Sequence, residues 1–535
     1  MATAKISSAS SPRMSMISRF LAALSWPKTL LLAFILGALN VLAFAPFSLW
    51  PLQILSLASV ALLAQQGRGL SLKRQAILGW CYGFSWLGFG FAWLTIALAR
   101  YGGLPWFLAV CAIALLAASL ALFMGFAFLL MAYVQRRWQL SRGSALLLVF
   151  PVCVTLAEWL RGWVFTGFPW LTSGYAHTDN WLASYAPVFG VYGLSWLNAL
   201  LAAGVAYAVL DTKKSVQLAV LIVGIFLAGL GLKQIKWTHP QGQEISVRLL
   251  QGNIDQGIKF DAEHLIATLS LYRAMIQTEP ADLIATPETA FPILTTQLPE
   301  NFLEQLKQFA QSSQSHLLLG VVAHDGGERY ANSAFGFGAN YHDGSYRYDK
   351  HHLVPFGEFI PLGFRWFTDM LQIPLSDLTS AGLHQPPMKV KDQWVLPNIC
   401  YEDVFGEEIA AQLLAQRKSG APMASVLINL SNLAWYGDST AIPQHLQISR
   451  MRVLETGRPM LRSTNTGATA LIGSDGIIVT QLATETRGSL RVKVQGVQGI
   501  TPYILWGNRG ILALLSLSFL CAFMLARISK NRVLL

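Results

Sequence analysis

Apolar runs alternate with short polar segments over the first 235 residues, give way to a long block of mixed pattern, and return once near the end of the chain. The runs cover residues 29–45, 49–64, 76–99, 105–134, 144–160, 187–210, 215–235 and 507–526. Crossing the hydrocarbon core takes roughly 20 apolar residues in a helix. The pattern therefore predicts about eight membrane-spanning helices. The first two are short for a bilayer, as a tilted or re-entrant pair would be.

The block at 244–498 follows other periods. Short apolar or alternating stretches at 245–251, 283–286, 317–323, 333–337, 346–348, 394–399 and 424–429 predict strands. Helical spacing appears at 261–278, 300–312, 405–418 and 442–455, and further strands fall around Leu461, Ala470, 477–481 and 490–494. Mixed βα units and hairpins of this kind imply layered sheets with helices outside them. A polar join, 236–244, separates this block from the seventh run, and the sequence shows no internal repeat.

Composition agrees with the pattern: of 535 residues 53% are apolar and only 13% charged, which excludes an ordinary soluble enzyme. The net charge of +11 divides unevenly. Residues 244–498 hold 19 Lys and Arg against 25 Asp and Glu, a net −6, so the remainder carries +17. Those basic residues precede the first run (Lys5, Arg13, Arg19, Lys28), follow the last (Arg527, Lys530, Arg532), and fill alternate loops through Arg68, Lys73, Arg74, Arg136, Arg137, Arg142, Lys213 and Lys214. These lie on one face of an eight-span topology, while the alternate short loops hold little beyond Arg100 and Arg161. By the positive-inside rule that face is cytoplasmic, residues 1–28 and 528–535 are cytoplasmic, and the block at 244–498 is extracytoplasmic. Basic loops facing anionic lipid account for the charge, and no nucleic-acid partner is expected. Ala43-Phe44-Ala45 fits a signal-peptidase pattern, but the long apolar run and the next one close behind it favour an uncleaved anchor.

Four of the five cysteines, Cys81, Cys111, Cys153 and Cys521, fall inside apolar runs, where packing explains them. Cys400 stands alone in the polar block, between a strand and a helix. Backbone N–H groups at such a turn favour a thiolate, the species that attacks carbonyls; a small core residue is the competing reading. Thr286-Pro-Glu288 and Asp349-Lys350 also follow strands. Acyl transfer through a thiol needs a nucleophile, a base and a cation or N–H donors at the oxyanion. Cys, Glu and Lys meet that list. His351 and His352 lack companions at metal-ligand spacing, so no metal or other cofactor is expected. Glu158 and Arg161, three apart on one helix, are expected to neutralise each other, and Trp163, Phe165, Phe168 and Trp170 to sit at headgroup depth.

The order Glu288, Lys350, Cys400 resembles the nitrilase superfamily, which sets such a triad on an α-β-β-α sandwich. With the spans included, the whole chain resembles the bacterial apolipoprotein N-acyltransferase family. The similar motifs are Phe44-Ala-Pro-Phe47, Glu158-Trp-Leu-Arg161, Gly167-Phe-Pro-Trp170, Gln251-Gly-Asn-Ile254, Thr286-Pro-Glu288, Lys350 to Glu358, Ile399-Cys-Tyr-Glu402, Arg458-Pro459 and Asn465-Thr-Gly467. The resemblance implies Glu288 as general base, Lys350 as oxyanion stabiliser and Cys400 as nucleophile, with Glu358, Tyr401 and Glu402 in support and Trp435 and Tyr436 near the substrate. It also implies a phospholipid acyl donor, a diacylglyceryl-modified apolipoprotein acceptor, and the bacterial inner membrane with the catalytic domain on its periplasmic side. Phe260 stands where that family commonly has Trp, and Leu433 where an Asp is usual. Two other readings share the pattern: a membrane-tethered amidase that uses water, and an inactive lipid-binding scaffold.

Overall fold

In a computed structural model the described residues are 23–65, 70–327, 329–338, 341, 345–361, 363, 365 and 377–534. The segment 1–22 with Lys5, Arg13 and Arg19, and also Arg68, lie outside them. The membrane part is built from α1 (Trp26–Asn40), α2 (Pro51–Ala64), α3 (Leu72–Gly90), α4 (Trp106–Arg137), α5 (Phe150–Arg161), α6 (Ala186–Leu210) and α7 (Ser215–Gln234). Among the described residues six helices are long and apolar enough to cross a membrane, and α3 with Leu94–Tyr101, bent by 61°, makes a seventh. That is one fewer than the eight apolar runs. The 14 residues of α2 span about 21 Å at 1.5 Å per residue, well short of a ~30 Å core.

Two features shape this part, the first of which ties it to the rest. Helix α6 is kinked where Gly190 takes φ 64°, and the Val191 N–H freed there is accepted by Glu455 Oε1 at 2.8 Å. The expected pairing of Glu158 with Arg161 is only electrostatic; their hydrogen bonds go elsewhere. Glu158 accepts the Ser173 N–H at 3.2 Å, while Arg161 donates to the carbonyls of Phe168 (2.6 Å) and Trp170 (2.8 Å). Both therefore brace the loop that follows α5. That loop splits the four aromatics, leaving Trp163 and Phe165 exposed and turning Trp170 inward.

The second part is two stacked sheets. One runs β13-β1-β2-β4-β5-β6, made of β1 (Ile245–Gln251), β2 (Leu283–Ala285), β4 (His316–His324), β5 (Tyr330–Phe337), β6 (Tyr346–Asp349) and β13 (Gly488–Val494), with β3 (Phe291–Leu294) beside β4. The other runs β12-β11-β10-β9-β8-β7, made of β7 (Met388–Val390), β8 (Gln393–Ile399), β9 (Val426–Ser431), β10 (Met460–Thr464), β11 (Ala470–Ile472) and β12 (Ile478–Gln481). Strands β1, β2 and β4 are mutually parallel, as are β8, β9 and β10.

The period of two decides the layering. Val247 and Leu249 of β1 and Val426, Ile428 and Leu430 of β9 meet in the core between the sheets. Leu250 faces the other way, with Leu269, Tyr272 and Leu306 of α8 (Ala262–Gln277) and α9 (Phe302–Ser312). Leu427 faces Leu413 and Val453 of α10 (Gly406–Ser419) and α11 (Ala441–Thr456). The result is an α-β-β-α sandwich, after which α12 (Arg509–Leu534) returns to the membrane part. Strands β3 and β7 were not foreseen in the sequence; four residues and three are too few to show a period.

Candidate active site

Glu288, Lys350 and Cys400 each follow a strand end, β2, β6 and β8 respectively, and the fold brings those ends together. Lys350 is 1% exposed, with Nζ 2.9 Å from Glu358 Oε1 and 3.2 Å from Glu288 Oε1. Asn332 Nδ2 donates to the same two oxygens, at 2.8 Å each. The other oxygen of Glu288 accepts the Asn432 N–H at 2.9 Å, and the other oxygen of Glu358 accepts the Val354 N–H at 2.9 Å. The same Asn432 N–H reaches the Cys400 sulfur, which also feels the charges of Glu288, Lys350 and Glu358.

Cys400 is half-buried and takes φ 52°, the left-handed region that side chains other than glycine's rarely adopt. It opens a 3₁₀ turn, Cys400–Val404. Glu402 pins that turn from behind. Its Oε2 accepts the Ile399 N–H at 2.6 Å and the Tyr348 hydroxyl at 3.0 Å, and its Oε1 accepts the His351 N–H at 2.6 Å. One carboxylate thus links the backbone just before Cys400 to the backbone just after Lys350. Tyr401 is buried and donates to the Gly167 carbonyl of the membrane part at 2.9 Å.

Burial by itself would raise the Glu288 carboxyl, but the ammonium groups of Lys350 and Lys259 outweigh it and hold the carboxyl below its ordinary 4.5. Burial disfavours the Lys350 ammonium, and the carboxylates of Glu288 and Glu358 more than restore it. Burial raises the Cys400 thiol, and the Glu288 charge adds to the effect. The resting site therefore holds a carboxylate, an ammonium and a neutral thiol.

Trp435 and Tyr436 sit on a 3₁₀ turn after β9, packed edge-on against Tyr101 (centroids 5.5 Å) and Trp93 (4.5 Å) of the membrane part. His351 and His352 are used locally, bonding the Ala381 carbonyl and Glu408 at 2.8 Å each.

Sequence reasoning missed three residues here. Lys259, 2% exposed, bonds Thr289 Oγ1 at 2.6 Å and the Glu288 carbonyl at 3.3 Å, and burial brings its ammonium down to about 8. Asn332 lies inside a strand, and Asn432 acts through its backbone. None of them left a signal in the sequence: Lys259, next to the exposed Phe260, looks like an ordinary loop residue. Glycine at 320 is a further constraint: a Cβ there would meet the Pro287 carbonyl at 2.0 Å and Glu288 Cα at 2.9 Å. Gly320→Ala is expected to lower stability by about 1–3 kcal/mol and to displace Glu288, read as a lower apparent Tm together with a lower kcat.

A two-sheet sandwich with a cysteine at a strand-to-turn junction beside a buried Glu–Lys–Glu cluster is an arrangement suited to attack on a carbonyl, and the carbon–nitrogen hydrolase family profile matches residues 246–499. The profile of the apolipoprotein N-acyltransferase N-terminal domain matches residues 36–204. The chain is 47% identical over 490 residues to an apolipoprotein N-acyltransferase of Ralstonia nicotianae, covering 91% of this chain and 92% of that one. With a namesake from Nitrosomonas europaea it shares 43% over 509 residues, covering 94% and 99%. A crystal structure of a carbon-nitrogen hydrolase from Helicobacter pylori G27 aligns over 47% of this chain and 89% of its own, at 18% identity and TM-score 0.34. The chain belongs to the apolipoprotein N-acyltransferase family. It is a membrane-embedded acyltransferase that N-acylates lipoproteins.

Proposed function

We propose that the transfer runs in two steps through a thioester on Cys400. Glu288 takes the thiol proton as the sulfur attacks the ester carbonyl of a phospholipid acyl chain. The Lys350 ammonium and backbone N–H groups stabilise the tetrahedral oxyanion, and a lysophospholipid leaves with the proton. The N-terminal amine of a diacylglyceryl-cysteine lipoprotein then attacks the thioester, forming the amide and releasing the thiol. The observation that carries this reading is the Lys350 ammonium, clamped between Glu288 and Glu358 beside the strained Cys400. Glu358 fixes the ammonium, Glu402 fixes the cysteine turn, and Trp435 and Tyr436 border the acyl path. Exposing an acyl chain to water costs about 0.8 kcal/mol per CH₂, so both lipids reach the site from within the bilayer. The basic loops set the orientation: inner membrane, with residues 244–498 on the periplasmic side.

Intact-mass analysis of the purified chain after incubation with a dipalmitoyl phospholipid tests this. A palmitoyl adduct on the peptide carrying Cys400 is expected, lost on adding a diacylglyceryl peptide with a free amine. Release of free fatty acid with the amine left unmodified would identify a hydrolase instead.

The charge states also set the pH response of the first half-reaction, where the acceptor amine plays no part. Glu288 stays ionised until the pH falls below 4.5, and the thiol stays neutral until it passes 9.0. A plateau of kcat/KM is expected from about pH 5 to about 8, where the Lys259 ammonium beside Glu288 begins to titrate, with an acid limb below 4.5. Stability follows the same sign: the depressed Glu288 carboxyl stabilises the fold above 4.5, and that contribution is lost as the pH falls through its lower folded value. In Glu288→Gln thioester formation should be lost at every pH, and this share of acid destabilisation should vanish, as read by apparent Tm against pH.

A further inference from the structure

Next to Cys400 lies a buried polar group that the reaction scheme leaves idle. His445 of α11 is buried, with Nε2 3.3 Å from the Cys400 carbonyl oxygen. Its Nδ1 lies 3.0 Å from Arg462 Nη2. A guanidinium only donates, so Nδ1 is the bare nitrogen. In a neutral imidazole the proton then sits on Nε2, and Nε2–H donates to the Cys400 carbonyl. Burial, reinforced by the Arg462 charge, keeps the ring neutral. Asp403, 4.0 Å from Nε2, is already held by Arg462 Nη1 at 3.2 Å and by the Ser449 hydroxyl. Asn429 Nδ2 is a second donor to the same carbonyl, at 3.4 Å.

The ring is also held from the membrane side. Trp170 stacks on it, centroids 5.6 Å apart at 12°. The indole N–H groups of Trp170 and Trp93 both donate to the neighbouring Gln444, at 2.9 and 3.2 Å.

A peptide unit is planar and trans, so its C=O and N–H point in opposite directions. The carbonyl of Cys400 belongs to the same unit as the Tyr401 N–H, and this is the first amide of the 3₁₀ turn, one with no carbonyl inside the turn to meet. Anchoring the carbonyl on His445 and Asn429 aims that N–H at the opposite, substrate side. Cys400 sits at φ 52°, from which an unanchored peptide would tend to rotate towards ordinary backbone. We infer that His445 is a positioning residue: it holds the Cys400–Tyr401 peptide so that the Tyr401 N–H joins Lys350 at the oxyanion. The inference rests on the reading of Cys400 as nucleophile.

The test compares His445→Leu, which keeps bulk without either polar contact, with His445→Gln, whose amide can both donate to Cys400 and accept from Arg462. Each is made in the full chain in lipid. Three quantities are measured: the single-turnover rate of thioester formation, KM for the phospholipid, and the rate of Cys400 alkylation by iodoacetamide, a displacement that builds no oxyanion. In the leucine variant thioester formation should fall about 100-fold, the scale for one lost oxyanion donor. KM and alkylation should stay within about threefold, and the glutamine variant should recover most of the loss. An unimpaired leucine variant, an equal fall in alkylation, or a folded glutamine variant without recovery would each overturn the inference. Should the leucine variant not fold, ¹⁵N-histidine NMR of the wild type decides. The resonances missing in His445→Gln should report protonated Nε2 and bare Nδ1 from pH 5 to 8, and the opposite tautomer or a charged ring would overturn it. Cys400→Ala is run alongside: activity there sinks the nucleophile reading itself, whereas its inactivity with an unimpaired His445→Leu sinks only the positioning role.

Discussion

Replacing Cys400 by alanine should abolish acyl transfer, with a loss on the order of 10⁴ or more, because acting as a unit is what makes nucleophile, base and oxyanion donors effective. The fold should survive. Cys400 is half-buried, and truncating it leaves the Glu–Lys–Glu cluster intact. Apparent Tm close to wild type, with neither a thioester adduct nor an N-acylated product, is the expected result. Because no side chain other than a thiol can form this thioester, serine should be nearly as inactive as alanine. Wild-type transfer by either variant would remove the covalent step.

Lys350→Met should cost both activity and stability. The ammonium is the shared partner of Glu288 and Glu358, all three being largely buried. Removing it leaves two carboxylates facing each other without water, a loss of about 3–5 kcal/mol by analogy with other broken buried pairs. The sign of the pH response then reverses. In the wild type the Glu288 carboxyl lies below 4.5; beside Glu358 and with one cation fewer it should rise, so the variant becomes more stable as the pH is lowered from 8 to 5. Lys350→Met/Glu358→Gln should recover much of the stability and none of the activity. Apparent Tm as a function of pH, with the thioester rate beside it, checks both halves.

Much of this was readable from the chain itself, for identifiable reasons. Layered sheets with helices outside them were legible from the mixed βα units and hairpins, and the α-β-β-α arrangement from the resemblance that the order Glu288, Lys350, Cys400 carries; those three stood out as reactive residues just past strand ends in a segment with one cysteine. What escaped detection depends on three-dimensional proximity. Asn432 contributes a backbone N–H, which no sequence pattern marks. Lys259 and His445 look like ordinary loop and helix residues until burial isolates them beside the site. Glu158 and Arg161 sat at the spacing of a helix pair, yet the unsatisfied carbonyls and amides of the following loop competed better for both. The apolar run at 49–64 is short for a bilayer in the sequence and stays short in the fold, where α2 starts at Pro51 and has 14 residues.

Tyr401, next to the reactive sulfur, is hydrogen-bonded to Gly167, and Gln444 is held by two indoles from the membrane part. The catalytic half is therefore not a passenger on its anchor. An excised piece would keep every reactive group yet lose the contacts from the membrane part that set their aim.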